Sequence, residues 1–149
     1  MTGVQTCALP ISLATETLVS LKGEVTEFSG GAHGNTWFQT RNVWIGREGA
    51  QVLALADLFL QESRWRMEVS RQVLAQLVET EAQWILAGEI VVADEELLQD
   101  WSLTEAGIVF DFAPYAVSSY SAGSFQVRIN YGDLKGLLDP AGPAGALLR

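Results

Sequence analysis

The chain has 149 residues, 48% of them apolar and five of them tryptophan, and nine basic against eighteen acidic side chains give it a net charge of −9. Length and apolar content suffice for one domain with its own core and exclude a disordered chain. The negative balance disfavours nucleic-acid phosphate, which needs a Lys/Arg surface, and suits a basic partner; no apolar run reaches the roughly eighteen residues of a membrane span.

Residues 1–11, Met1-Thr2-Gly3-Val4-Gln5-Thr6-Cys7-Ala8-Leu9-Pro10-Ile11, carry no charge and show neither helical nor strand period. They also lack the basic start of a signal peptide. The string looks like translated sequencing-library adapter and is set aside from the fold, and Cys7, the only cysteine, goes with it. Disulfides and cysteine-based metal sites then drop out. The domain is read as residues 12–139, truncated at its N-terminus, and 140–149 as a flexible tail.

Ser12 to Glu16 is polar and read as frayed. Thr17–Phe28 alternates: Val19, Leu21, Gly23 and Val25 share one face, while Leu18, Ser20, Lys22, Glu24, Thr26 and Phe28 share the other. Asn35–Ile45 alternates likewise. A period of two on both sides of Ser29-Gly30-Gly31-Ala32-His33-Gly34 predicts a hairpin whose loop needs positive φ at one or more glycines. Gly46-Arg47-Glu48-Gly49 is a turn, Gln51–Leu55 a short extended piece, and Ala56–Phe59 a tight turn before a helix. That helix repeats Trp65, Val69, Val73 and Leu77 every fourth residue. Leu74 and Val78 are read as widening the stripe, and Ser63 as the N-cap.

Thr80–Ala93 is ambiguous between a helix extension and a strand at Ile90-Val91-Val92. Asp94 is expected to cap a short acidic helix ending near Asp100, with Trp101 as its anchor. From Ser102 the period returns to two, predicting a second hairpin that turns at Glu105-Ala106-Gly107 and ends at Ala113-Pro114-Tyr115. Phe125, Val127 and Ile129 face inward on a last strand. Asn130 is read as capping a final helix, Tyr131–Leu138. The sum is an α+β domain: an antiparallel sheet of hairpins, one main amphipathic helix on a face, and short extra helices.

Two groups of residues resemble one family. The first is Phe28-Ser29-Gly30-Gly31-Ala32-His33-Gly34-Asn35 with Leu55-Ala56-Asp57-Leu58-Phe59. The second runs from Leu103-Thr104-Glu105-Ala106-Gly107 through Ile108–Tyr115 and Tyr120-Ser121-Ala122-Gly123 to Val127-Arg128-Ile129-Asn130-Tyr131 and Leu134. In order and spacing they resemble the C-terminal extracellular domain, of unknown function, shared by the anti-sigma factor RsiV and the peptidoglycan deacetylase PdaC. The family often has proline where Asn130 stands. The resemblance implies a domain in the cell envelope, outside the cytoplasmic membrane, with a partner domain and a membrane anchor in a missing N-terminal part. It also implies lysozyme binding in one relative and an accessory place beside a catalytic domain in the other.

The residues themselves favour binding over catalysis. His33 has only glycine, alanine and asparagine as sequence neighbours. No second histidine or HxxE spacing exists for a metal, and no partner is set to orient a general base. It is read as bracing the hairpin turn, with partner binding as its second role. The serine-rich loop 118–124 lacks a nucleophile elbow, and no glycine pattern has phosphate-binding spacing. His33, Asn35, Trp37, Tyr115 and Tyr120 are the candidate binding residues. Tyr115, at a strand end beside Pro114, is favoured as a half-buried structural tyrosine. The expectation is a non-catalytic envelope recognition module, without cofactor or metal, for a basic lysozyme-like protein or a peptidoglycan-associated ligand. The alternative is a structural accessory domain of an envelope enzyme. Hydrolysis at His33 ranks third.

Overall fold

In the computed structural model, which describes residues 3–6 and 10–148, the longest ladder is the first hairpin. Strands β3 (Leu18–Phe28) and β4 (Asn35–Gly46) pair antiparallel from Leu18↔Trp44 to Glu27↔Asn35. Gly49, at φ +116°, turns the chain into β5 (Gly49–Val52) against β4. Two short strands share the other edge of β3. β1 (Gly3–Thr6) lies along Val25–Phe28, and β2 (Ile11–Ala14) lies along Val19–Leu21. The segment set aside from the fold therefore includes a paired strand, because β3 offers an unsatisfied backbone edge that any extended segment can fill. The stretch read as frayed is paired too, and Leu13 is buried in the core. Cys7 lies outside the described residues.

A second, three-stranded antiparallel sheet holds β6 (Trp101–Leu103), β7 (Gly107–Phe112) and β8 (Phe125–Asn130), in that order. Every residue of β7 is buried. Ile108, Phe110, Phe112, Val127 and Ile129 form one core with Trp65, Val69, Val73 and Leu77 of helix α1 (Trp65–Glu79). Fully burying side chains of this size stabilises by roughly 1.5–3 kcal/mol each, which is what holds the helix to the sheet. Phe59 stacks on Trp65 with ring centroids 4.5 Å apart, fixing the start of α1.

Several terminal details differ from the sequence expectation. Ser63 donates its hydroxyl back to the Leu60 carbonyl (2.7 Å), and Arg64 holds the N-cap position without a side-chain bond. Beyond α1 comes one turn, α2 (Gln83–Leu86). Ile90–Val92 forms no strand, and Val91 and Val92 lie along α1, where no strand edge is available. Asp94 does accept the Leu97 N–H (2.9 Å), but it starts a turn and not a helix. Asn130 bonds the Asp133 side chain, and the expected last helix is a 3-10 turn over Tyr131–Leu134. In the segment read as a flexible tail, Pro143–Ala146 form another 3-10 turn and Ala144 is fully buried.

The two hairpins thus build separate sheets rather than one. Their junction is polar. Ser20 of β3 donates to Asn42 Oδ1 of β4 (2.6 Å) and accepts from Ser12 Oγ (2.9 Å) and from the Leu103 N–H (2.8 Å). Asn42 Nδ2 donates to the Trp101 carbonyl (2.9 Å). Side chains of the first sheet thereby satisfy the outward backbone groups of β6, where a further strand would otherwise sit. Buried polar groups demand partners, and here the Ser20 hydroxyl and both polar atoms of the Asn42 amide have them.

Candidate functional site

The first sheet carries the loop 29–34 at the far end of its longest ladder. Gly30 takes φ +89° there, in open space, as the glycine-rich break requires. The second sheet contributes the loop after β7. Ala116 N–H bonds the Ala113 carbonyl (2.9 Å), closing a tight turn in which Tyr115 adopts φ +72°. A left-handed backbone on a bulky residue costs about 1–3 kcal/mol and persists only where surrounding structure enforces it. Further along, a 3-10 turn, Tyr120–Ala122, presents Tyr120.

These two loops meet. The His33 ring stacks on the Tyr120 ring with centroids 3.8 Å apart and planes 20° from parallel. Tyr115 leans on both, 5.5 Å from Tyr120 and 6.2 Å from His33. The Tyr120 hydroxyl donates to the Gly34 carbonyl (2.8 Å), 86 residues away in sequence. His33 Nδ1 lies 3.3 Å from the same carbonyl oxygen, so Gly34 is gripped from two sides. A side chain at Gly34 would press on the Glu27 carbonyl at 3.2 Å, which explains a glycine at that point.

Three of the five candidate residues, His33, Tyr115 and Tyr120, therefore form one cluster. Asn35 is the exposed first residue of β4, opposite Glu27, and Trp37 is half-buried opposite Val25; neither ring nor amide joins the cluster. Tyr115 is 54% exposed, so the reading of it as a half-buried structural tyrosine is corrected. Its positive φ turns the side chain out of the strand direction. The partners of His33 are two phenol rings and a carbonyl, an arrangement that offers flat faces and hydrogen-bonding edges to a ligand. Among the described residues, no three His, Cys, Asp or Glu side chains come together to hold a metal ion.

Sequence reasoning missed a second polar contact between the sheets. Lys22 of β3 pairs with Asp111 of β7, whose Oδ1 also accepts from Gln126 (2.8 Å). Asp111 is buried, and its Oδ2 has no hydrogen-bond partner among the described residues. Burial, and then the charge of Asp111, raise the Asp100 carboxyl above its ordinary range. Lys22 also lies 5.1 Å over the Phe38 ring. On an alternating strand these residues look solvated, since nothing local announces that a second sheet will cover them.

Comparisons with known proteins agree with this architecture. A family model described as "Protein of unknown function (DUF3298)" matches residues 56–132. That span contains Tyr115 and Tyr120, while His33, Asn35 and Trp37 precede it. A DUF3298 family protein of Pseudomonas aeruginosa PAO1 is similar in structure, with a TM-score of 0.60 and 20% identity over 93% of this chain and 62% of that one. A DUF3298 member from Bacteroides fragilis NCTC 9343 gives a TM-score of 0.70 and 19% identity over 94% of this chain and 55% of its own. At such identity the likeness shows the fold, and the chain spans little more than half the length of these relatives. No curated protein matches. With more than half of its residues under the family model and its fold shared by two solved members, the chain belongs to the DUF3298 family.

Proposed function

We propose that the domain is a non-catalytic recognition module of the cell envelope whose contact surface is the His33–Tyr120–Tyr115 cluster. One observation carries the reading. Two loops from different sheets converge on an aromatic patch in which the exposed Tyr115 is held by a left-handed backbone. Aromatic side chains offer large contact area at low entropic cost, and tyrosine is enriched at interface hot spots. The net charge of −9 favours a basic protein. A lysozyme-like partner fits that chemistry and the resemblance to the RsiV domain. In the intact protein the module would then report envelope attack to an anti-sigma function.

Calorimetry with a basic c-type lysozyme at low and moderate salt tests this. The expected result is binding that weakens with salt and is lost in Tyr115→Ala and Tyr120→Ala. Absence of heat and of co-elution at roughly tens of micromolar removes it. A second reading is an accessory domain beside a peptidoglycan-modifying enzyme, favoured by the greater length of the solved relatives. The reading frame upstream in the intact gene separates the two: a catalytic domain supports the accessory role, a membrane span with a cytoplasmic segment supports the sensor.

A further inference from the structure

Helix α1 carries a buried apolar stripe and, beside it, a second apolar row that runs out to the surface. Trp65, Val69, Val73 and Leu77 are buried. Met67, Leu74 and Val78 form a second row beside it: Leu74 is partly buried and packs against the core, while Met67 is 62% and Val78 45% exposed. The sequence reading that Leu74 and Val78 widen the buried stripe holds for Leu74, which packs against the core, and is corrected for Val78, which at 100° per residue falls with Met67 at the surface. Facing them across a groove of about 840 Å³ run Val91 and Val92, 73% and 60% exposed. Five aliphatic side chains line one concave surface that nothing covers. Monomeric proteins rarely leave such a contiguous patch without a binding role.

The groove is already formed. Ser70 Oγ at its floor accepts the Ala93 N–H (2.8 Å), and Arg66 Nε donates to Glu95 Oε1 across its end (2.7 Å). These bonds fix residues 91–98 against α1, so an occupant would not have to order the walls. The stripe runs eleven residue steps from Met67 to Val78, about 16 Å at the helical rise, or three turns.

Charge selects the occupant. From residue 72 to residue 127 the chain holds nine Asp and Glu and no Lys or Arg, so its whole net charge of −9 resides there. One wall of the groove belongs to that stretch and bears Asp94 and Glu95. On the α1 wall, Arg66 is paired with Glu95 and Arg71 with Glu68. A second copy would bring the same negative charge, and an anionic membrane surface would be repelled.

We propose that this groove docks a basic amphipathic helix from a partner protein. Its apolar stripe would lie against Met67, Leu74, Val78, Val91 and Val92, and its Lys or Arg residues would face Asp94, the acid of the groove that no basic side chain pairs among the described residues. Helix-in-groove recognition of this kind reads apolar anchors at i, i+3, i+4 and i+7. The surface shares no residue with the aromatic cluster, so the proposal stands or falls independently of the recognition reading.

The test titrates the full chain with a synthetic Leu/Lys peptide of about 18 residues in amphipathic order. A scrambled peptide of identical composition and a Leu/Glu peptide in amphipathic order serve as controls. Titrations follow chemical shifts or calorimetric heat, with far-UV dichroism checking the fold of each variant. The amphipathic basic peptide should bind, at least about tenfold more tightly than either control. Met67→Asp with Val91→Asp should weaken it at least about tenfold, since both side chains are exposed and the fold tolerates them. His33→Ala should leave it unchanged. Equal binding of the scrambled peptide, indifference to the Met67/Val91 pair, or loss in His33→Ala would each overturn the proposal. So would a concentration-dependent dimer in sedimentation that Met67→Asp dissolves, for the groove would then belong to a second copy.

Discussion

The two sheets are built on opposite principles. In the second sheet β7 is buried along its whole length, while in the first sheet β5 is exposed along its whole length. The second sheet and α1 hold the larger part of the apolar core; the first sheet joins that core at one end through Leu13 and Leu18, and extends away as the long β3–β4 hairpin with β1 along its outer edge. Stability and presentation are thereby separated. The ribbon sets its glycine-rich loop beside the loops of the stable sheet, and the aromatic cluster forms where they touch.

Substitutions can break or sharpen that contrast. Phe110→Ala empties a fully buried site in β7 and should cost about 3–5 kcal/mol in a urea melt followed by tryptophan fluorescence. If the loss is below about 1 kcal/mol, the second sheet is not where the stability lies. Gly107→Ala comes next. A methyl group there would collide with the Ile129 carbonyl oxygen across the β7–β8 ladder, so the backbone must shift, and a loss of about 2–3 kcal/mol is expected by the same melt.

Asn42→Ala attacks the junction between the sheets. It strands the Trp101 carbonyl and removes the acceptor of Ser20, and about 1–3 kcal/mol should be lost. Hydrogen exchange should show the β6 amides opening while those of β8 stay protected; uniform loss of protection would mean that the sheets unfold as one unit. Asp100 gives a smaller effect whose sign is set by its raised pKa. Ionisation is disfavoured in the folded chain, so the stability it contributes is present below the ordinary value of 3.8 and is lost as pH rises through the raised one. Asp100→Asn should therefore match the parent in acid and gain on it toward neutrality. A variant that loses ground toward neutrality contradicts the burial assigned to that carboxyl. Val52→Thr on exposed β5 should change stability by no more than about 0.5 kcal/mol.

What was legible in the sequence was local. Strands β3, β4, β7 and β8 and helix α1 declare themselves by period, and the glycine loop by composition, because each depends on residues near one another in the chain. The division into two sheets was not legible. It depends on Ser20, Asn42 and Lys22, polar residues on an alternating strand that read as solvated until another sheet covers them. The exposed row of α1 was hidden for a related reason: Val78 borders Leu74, which does flank the buried stripe. At the site, His33, Tyr115 and Tyr120 could be singled out one by one. Their stacking could not, since it joins residues more than eighty positions apart.

The polar junction also dictates where the chain can change length. Ser20 reaches Leu103 only because it shares a strand face with Leu18 and Lys22. One extra residue inserted in β3 just before Ser20 would leave one side of that insertion out of register. Either Leu18 or the Ser20–Lys22 pair would then be turned to the opposite face. The turn at Gly30, where an added side chain would meet nothing, imposes no such parity. Drift in length among descendants of this domain should therefore collect around Gly30, ahead of the His33 and Gly34 contacts, and the strands on either side should keep their count.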